Sequence, residues 1–407
     1  MRERIGKMTE ALGVYISVPF CRAKCTYCNF ASGVFGAERM DAYVDRVCAE
    51  IAGVGRRAAG MRADLPRHVD SVYLGGGTPS LLAAEQVKRM FAVVRAEFTV
   101  ADNSEITLEC APGQLDGATL DALLQAGMNR VSFGVQSFVD AETRAVGRLH
   151  TREVCLDEIA RLRRAGVEDI NVDLIAGLPG QTPASWRESV DLAIQTSVPH
   201  VSVYMLEVDE DSRLGREVLA AGARYGAAAV PAEDAIAESY AAACEWLESA
   251  GVRQYEISNF AREGHRSRHN TKYWRREPYV GFGLDAHSML RSGTDVVRFA
   301  NPEELDTYIA KTPATLPILS AQPEAERIGT QGQFEEAMFL GLRMNDGLSL
   351  EQLRCEFGSA ALETIREPMG EICEAGLMEC DGDRVWLTAR GRMASNEVFN
   401  RLLVVPA

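Results

Sequence analysis

Six short runs rich in β-branched and aromatic residues alternate with helix-like segments, and this alternation limits the fold more than any other feature. The runs cover residues 14–20, 71–74, 105–109, 130–136, 169–174 and 200–206. Apolar residues three and four positions apart predict helices over residues 80–98, 120–126, 152–165 and 183–194. Strands that alternate with helices form parallel sheets with right-handed crossovers. The sequence therefore predicts an α/β fold, a partial (β/α)6 barrel.

Three cysteines follow the first predicted strand in the spacing C-x3-C-x2-C, at Cys21, Cys25 and Cys28. A [4Fe-4S] cluster is normally held by four thiolates, so three on one loop leave one iron open to another ligand. A structural zinc site needs a fourth Cys or His nearby, but Phe30 follows the group and the next cysteine is Cys48. An iron–sulfur cluster is favoured, and the other seven cysteines are predicted to be core residues.

The composition is typical of a globular protein from a reducing compartment. The 407 residues are 46% hydrophobic and 25% charged, with no apolar run long enough to cross a membrane. No apolar signal segment begins the chain, so we expect a cytoplasmic location and no disulfides. The net charge of −15 argues against nucleic-acid binding, because phosphate binding needs accumulated Lys and Arg. An anionic ligand would need a local basic patch.

Polar residues stand at the carboxyl ends of the predicted strands, where (β/α) barrels place their chemistry. Gly-Gly-Gly-Thr-Pro at 75–79 follows strand two, Glu109 and Gln136 end strands three and four, and Asp173 lies late in strand five. Each feature alone has an ordinary explanation, since glycine triplets are often turns and strand aspartates are often satisfied polar residues. Their coincidence at one rim predicts a ligand site. Its carboxylates suit an ammonium group or a ribose.

Residues 264–279 form a basic and aromatic segment within this acidic chain. They contain five Arg or Lys, one Glu, two His, one Trp and two Tyr. Cations interleaved with flat rings suit a planar anionic ligand, such as a tetrapyrrole with propionate groups, and a neutral histidine can bind haem iron. A solvated basic loop or an RNA contact has the same composition. The alternatives stay open at this point.

The cysteine loop followed by Gly-Gly-Thr-Pro resembles the signature of the radical S-adenosylmethionine (SAM) proteins, in the branch of oxygen-independent coproporphyrinogen III oxidase and the related haem chaperones. The resemblance implies that Cys21, Cys25 and Cys28 hold a [4Fe-4S] cluster, that SAM binds the open iron, and that a reductant protein supplies electrons. It also implies a set of SAM contacts. These are Tyr15, Gly76, Gly77, Thr78, Glu109, Gln136, Arg148 and Asp173.

His-Asn-Thr-Lys-Tyr-Trp at 269–274 resembles the H-N-x-x-Y-W motif of the haem chaperone branch. The resemblance implies that His269 contacts haem, with His265 as an alternative. Two departures separate the chain from the oxidase: Phe30 replaces the last cysteine of C-x3-C-x2-C-x-C, and only twenty residues precede Cys21. The favoured function is therefore to bind haem as cargo and transfer it to acceptor proteins. Radical decarboxylation of coproporphyrinogen III is the alternative, and a radical enzyme with another substrate stays open.

Four parts of the chain are predicted. Residues 1–250 form the barrel, 251–310 an irregular αβ segment that covers the barrel mouth with the haem motif, 311–329 a linker and 330–407 a small winged-helix-like α+β domain. The last part has helix patterns at 334–342, 349–357 and 360–375, then a hairpin around Asp381-Gly382. Residues 329–407 contain seven Arg, no Lys and thirteen Asp or Glu, a net charge of −6. Packing against the barrel or a partner protein is favoured over DNA binding.

Overall fold

A parallel (β/α) core forms the first half of the molecule. The computed structural model describes residues 11–310 and 325–403. Its parallel strands are β1 (Leu12–Val18), β2 (His68–Gly76), β3 (Thr99–Cys110), β4 (Arg130–Gln136), β5 (Asp169–Ala176) and β6 (His200–Met205). They pair with one another in chain order. The predicted partial (β/α)6 barrel is confirmed.

The helices of this core follow the local signals in the sequence. They are α1 (Ala37–Gly60), α2 (Ala84–Glu97), α3 (Gly117–Gln125), α4 (Asp140–Ala145), α5 (Arg152–Arg164), α6 (Pro183–Gln195), α7 (Arg213–Leu219) and α8 (Glu233–Ser249), with 3-10 turns at Pro79–Leu81 and Arg224–Ala229. Thr182 caps α6 by accepting a hydrogen bond from the backbone N–H of Ser185. The predicted helix over 80–98 begins later, because a 3-10 turn precedes α2.

Further strands extend the sheet on both sides of the parallel core. They are β7 (Arg253–Gln254), β8 (Asn259–Ala261), β9 (Tyr279–Phe282), β10 (His287–Ser292), β11 (Asp295–Ala300) and β12 (Glu326–Ile328), with α9 (Arg268–Trp274) and α10 (Leu305–Ala310) among them. Over the described residues the strand order is β12-β11-β10-β9-β1-β2-β3-β4-β5-β6-β8-β7. β9 pairs in parallel with β1, and β8 pairs antiparallel with β6.

The predicted linker at residues 311–329 is only partly covered by the structure. Its residues 311–324 lie outside the described parts of the chain. At its other end, the backbone of β12 pairs with Val296, Val297 and Arg298 of β11. The linker prediction is therefore wrong for these last residues, because they belong to the sheet.

Side chains alternate between the two faces of the barrel strands, as the pleat of a β-strand requires. Val14, Ile16 and Val18 of β1 face outwards and are fully buried in the main hydrophobic core. The intervening Tyr15 and Ser17 face the barrel interior, which is lined mainly by polar groups. Apolar packing therefore lies between the sheet and its helices, and the interior remains available for a site.

The C-terminal domain has its own sheet and its own core. It contains α11 (Thr330–Gly341), β13 (Leu348–Ser349), α12 (Leu350–Phe357), α13 (Ser359–Glu374), β14 (Met378–Asp381), β15 (Arg384–Leu387), α14 (Ala389–Met393) and α15 (Ser395–Leu402). The predicted order of helices followed by a hairpin is confirmed. Phe334, Leu353 and Ile365 are buried in a core separate from that of the barrel. In the parts of the chain that the structure covers, no helix has the length and apolar character needed to cross a membrane.

Candidate functional site

The three motif cysteines lie in the loop after β1, at the end of the barrel where the parallel strands finish, which we call the mouth. All three thiols are free. Arg148 Nη1 donates a hydrogen bond to Cys25 Sγ at 3.4 Å, and Thr78 Oγ1 donates one to Cys21 Sγ at 3.7 Å. Burial raises the pKa of the Cys28 thiol. Donors aimed at sulfur stabilise thiolates and tune the iron–sulfur clusters that thiolates hold.

The three thiols lie on one loop, as the protein ligands of a cluster would. Within residues 11–310 and 325–403, no group of three His, Cys, Asp or Glu side chains is placed to bind one metal ion. An iron–sulfur cube is wider than one ion, and its thiolates bind different irons. Three separate thiols on one loop, two with hydrogen-bond donors, are compatible with that geometry.

The glycine turn after β2 supports the cysteine loop through backbone contacts. Gly77 N–H donates to Val18 O at 2.9 Å, and Thr78 N–H donates to Phe20 O at 2.8 Å. A Cβ at Gly77 would lie 2.8 Å from Val18 O, which is closer than real side chains approach. Only glycine therefore allows this turn to pack against the residues that precede Cys21.

A buried carboxyl group lies beside the same turn. Glu109 accepts hydrogen bonds from the Tyr73 hydroxyl at 2.9 Å and from Gly76 N–H at 3.0 Å. Burial raises the pKa of Glu109 to about 7, although these two hydrogen bonds oppose the shift. Gly76 has a φ of 101°, a left-handed conformation that favours glycine. The turn thus directs a backbone N–H at a carboxyl group that can titrate near neutral pH.

A polar cavity extends from Glu109 into the barrel. Asp173 accepts hydrogen bonds from Asn171 Nδ2 at 2.7 Å and from Ser132 Oγ at 3.2 Å, and burial raises its pKa. Tyr15 stacks on Tyr73 with ring centroids 6.0 Å apart. The cavity is lined by Tyr73, Glu109, Arg130, Ser132, Asn171, Asp173, His200, Ser202, Tyr204, Asn259, Ser267 and Asn270.

Arg148 connects the end of β4 to the cysteine loop. Besides its bond to Cys25, its guanidinium donates to Gly134 O. Its buried Nε has no hydrogen-bond partner among the described residues, so a donor is left for a ligand. Gln136 ends β4 with a φ of 68°, and such backbone conformations are uncommon outside glycine and cluster at functional sites.

The predicted SAM contacts thus fall into three groups around one mouth. Gly77 and Thr78 pack against the cysteine loop, and Arg148 and Gln136 lie at the end of β4. Glu109 and Asp173 line the cavity, while Tyr15 and Gly76 contact its lining residues Tyr73 and Glu109. Several lining residues were not predicted from the sequence, namely Tyr73, Ser132, Asn171, Ser202 and Tyr204. A signal existed, because polar residues occupy alternate positions through 130–132 in β4, 169–173 in β5 and 200–204 in β6.

α9 lies at the opposite end of the barrel from the cysteine loop. The Glu105 carboxylate accepts hydrogen bonds from the backbone N–H groups of Arg268 at 2.8 Å and His269 at 2.9 Å. Glu105 lies opposite Ser71, which lies opposite Gly13 near the start of β1. The prediction that this segment covers the mouth is therefore wrong for α9. This helix forms the floor of the barrel interior.

His269 is buried in this floor rather than open to a large ligand. The residue is only 1% exposed. Nδ1 is 3.0 Å from Ser71 Oγ, and Nε2 is 2.9 Å from the Tyr273 hydroxyl. His265, the alternative, pairs with Asp169. In this conformation neither ring nitrogen of His269 is free to bind iron.

Most cations of the basic segment pair with protein groups. Lys272 Nζ lies 2.8 Å from Asp70 and 3.0 Å from Glu277, and it is 3% exposed. Two arginines reach the C-terminal domain, with Arg266 2.6 Å from Asp346 and Arg276 2.8 Å from Glu356. These contacts pair three of the five cations that were predicted to bind a planar anion.

Comparison with known proteins shows which family the chain belongs to. The family model of the radical SAM superfamily matches residues 15–193, and that of the HemN C-terminal domain matches residues 332–394. The chain is 31% identical to heme chaperone HemW of Lactococcus lactis subsp. lactis (strain IL1403). The match extends over 390 residues, which are 96% of this chain and 97% of that protein. Heme chaperone HemW of Bacillus subtilis (strain 168) is 33% identical over 390 residues, with 96% and 98% covered. The chain belongs to the HemW family of radical SAM proteins.

A solved structure supports the fold of this HemW family member. Coproporphyrinogen III oxidase (HemN) from Escherichia coli aligns with a TM-score of 0.79 at 23% identity, over 97% of this chain and 90% of that chain. At this identity the likeness shows the shared fold alone. Membership in the radical SAM superfamily implies a [4Fe-4S] cluster and SAM, and the thiols and the polar cavity at the mouth fit both groups.

The raised pKa of Glu109 predicts a pH-dependent stability in the cofactor-free protein. Between pH 4.5 and about 7 the folded state keeps a proton that the unfolded chain releases, so the free energy of unfolding should fall as pH rises. The shift corresponds to roughly 3 kcal/mol. Glu109→Gln stays uncharged, so we expect it to lack this slope and to exceed the wild type above pH 7 in urea denaturation. Exposed Glu371→Gln is the control, and equal slopes in all three proteins would contradict the prediction.

Proposed function

We propose that this protein binds haem and transfers it to acceptor proteins in the cytoplasm, and that it carries a [4Fe-4S] cluster and SAM at the barrel mouth. One observation carries the proposal. The similarity to two proteins named heme chaperone HemW extends over 96% of this chain, so it includes the barrel, the floor helix and the C-terminal domain. A similarity limited to the barrel would not identify the cargo that the protein binds.

The cofactor part of the proposal assigns a role to each group of mouth residues. Cys21, Cys25 and Cys28 hold the cluster, which supplies an electron to SAM when a separate protein reduces it. Glu109 and Asp173 line the cavity and bind the ammonium and ribose of SAM. Tyr15 and Gly76 contact SAM beside them, next to Tyr73 and Glu109. Arg148 and Gln136 contact SAM at the end of β4, while Gly77 and Thr78 hold the cysteine loop.

Exposed apolar side chains near the cysteine loop support haem docking at the mouth. Phe30 is 62% exposed, Leu149 64% and Val208 40%. Leu149 follows the arginine that binds Cys25, and Asn29 next to Phe30 donates a hydrogen bond to Asp209 next to Val208. Apolar rings and chains at one edge suit the flat face of a porphyrin.

A single substitution in this apolar edge tests the docking site. We expect Phe30→Ser to weaken haem binding about tenfold, because burial of an aromatic side chain contributes about 1.5–3 kcal/mol. Iron and sulfide content should stay at the wild-type level. Met393→Ser, at an exposed position in the C-terminal domain, is the matched control. Unchanged haem affinity in Phe30→Ser would place the cargo elsewhere.

An anaerobic assay separates haem transfer from the alternative, oxidation of coproporphyrinogen III. The reconstituted protein is incubated with a reductant, SAM and coproporphyrinogen III, and separately with haem followed by a haem-free globin. We expect haem to be retained and then transferred, without multiple turnovers to protoporphyrinogen IX. Repeated turnover would contradict the chaperone proposal and support the oxidase.

A further inference from the structure

The ring of His269 lies against an aromatic side chain that leads to the mouth. It stacks on Tyr73 with ring centroids 5.2 Å apart and an interplanar angle of 26°. On another side it meets the ring of Tyr273 edge-on, at 5.3 Å and 90°. Gly13 lets the histidine come this close, since a Cβ there would lie 3.4 Å from His269 Cε1 and 3.0 Å from Lys272 Cδ. The imidazole therefore fills a closed space.

Tyr73 transmits this contact to the carboxyl group beside the glycine turn. Its hydroxyl donates to Glu109 Oε1 at 2.9 Å, while Gly76 N–H donates to the other oxygen. A buried hydrogen bond to a charged group depends on the position of the donor, and these bonds contribute more than neutral ones. The direction of Glu109 thus depends on the plane of the Tyr73 ring. The orientation of the Tyr73 ring depends in turn on its stacking against the His269 ring.

Contacts at both ends hold α9, and with it His269, in place. The Glu105 carboxylate binds the first turn of the helix, and Ser267 caps it by accepting from Asn270 N–H. Near the other end, the Arg343 guanidinium lies 4.3 Å from the centroid of the Trp274 ring. A turn of His269 towards a cargo would break its bonds to Ser71 and Tyr273.

We propose that His269 is a positioning residue for SAM, which acts through Tyr73 on Glu109, and that it does not ligate haem iron. This inference rests on the proposed SAM-binding role of Glu109. It gives the histidine of the H-N-x-x-Y-W segment a function at the floor of the barrel. The haem site is then formed by other residues.

SAM affinity of the reconstituted protein tests the inference. We expect His269→Ala to weaken SAM binding about tenfold, the usual effect of losing a hydrogen bond to a charged group, with little change in haem binding. Tyr73→Phe should give a similar loss, and the double variant should lose little more, because the two act in one chain of contacts. His269→Phe keeps the ring face against Tyr73 and should largely restore SAM affinity. His287→Ala, an exposed strand position, is the control.

A second readout does not need the cofactors. With the Tyr73 bond loosened, Glu109 loses a contact that lowers its pKa. The pH-dependent fall in unfolding free energy should therefore extend to higher pH in cofactor-free His269→Ala. If the alanine variant does not fold, His269→Leu fills the same space without an aromatic face and takes its place.

The outcomes separate this inference from the cofactor site on which it rests. Wild-type SAM affinity in His269→Ala, or a loss that His269→Phe does not restore, would overturn the positioning role. Loss of the haem spectrum in both His269 variants with SAM binding intact would show an iron ligand instead. Glu109→Gln tests the cofactor site by itself: if it binds SAM as the wild type does, the assignment of Glu109 fails.

Discussion

Cys25→Ala should abolish the iron–sulfur cluster and every property that depends on it. Only two motif thiolates would remain, and a cube held by two ligands on one loop is readily lost. Iron should fall from about four atoms per chain to near zero after anaerobic reconstitution. The broad visible absorption and SAM binding should disappear with it. Iron and sulfide analysis on the purified variant measures the effect.

The chain offers a matched control for this substitution. Cys355 is exposed on α12, remote in sequence from the cysteine loop. Cys355→Ala should retain full iron and sulfide content. If Cys25→Ala held as much iron as this control, the cluster would need another ligand set, and the assignment of the three motif cysteines would be wrong.

Gly77→Ala should have the second largest effect, on stability and on the cluster together. The new Cβ would lie 2.8 Å from Val18 O, 2.8 Å from Pro19 C and 2.9 Å from Phe20 O. All three are backbone atoms and cannot rotate away, so β1 or the glycine turn must move. Overpacking of this kind costs about 1–3 kcal/mol. The loop that starts at Cys21 should shift with the backbone, which lowers cluster occupancy.

Urea denaturation of the cofactor-free protein and iron content of the reconstituted protein measure the two effects separately. Gly370→Ala is the control, since Gly370 lies within α13 and a Cβ there would meet no atom within 4 Å. Alanine there should stabilise the helix by about 0.5–1 kcal/mol. Equal stability changes in both variants would show that the close approach at Gly77 is tolerated.

The strands and the cysteine loop were predictable because their signals are local. Buried parallel strands appear as short β-branched runs, and residues 130–136 match β4 from end to end. The long helices α1 and α8 were not predicted, and no stated helix pattern covered Ala37–Gly60 or Glu233–Ser249. The mouth residues could be grouped because parallel strands finish at the same edge of a sheet.

The position of α9 could not be predicted from its own composition. The cations and rings of residues 264–279 suggested an exposed binding segment, but several of their partners are distant in sequence: Asp70, Glu105 and Glu356. A charge that is paired in the folded protein looks the same in the sequence as a charge that awaits a ligand. Only the fold brings Glu105 to the first turn of α9, and that contact decides which end of the barrel the helix closes.

Within the described residues, β7 and β12 are the two edge strands of the main sheet, and their length and charge affect its tendency to pair with another chain. An exposed sheet edge can template the addition of a foreign strand and lead to aggregation. Here β7 has two residues and β12 has three. The exposed Arg253 stands on the first, and the exposed Glu326 and Arg327 stand on the second. Short, charged edge strands discourage the addition of a strand from another chain. The barrel can therefore stay incompletely closed, with its mouth open to ligands, without pairing with other chains at its edges.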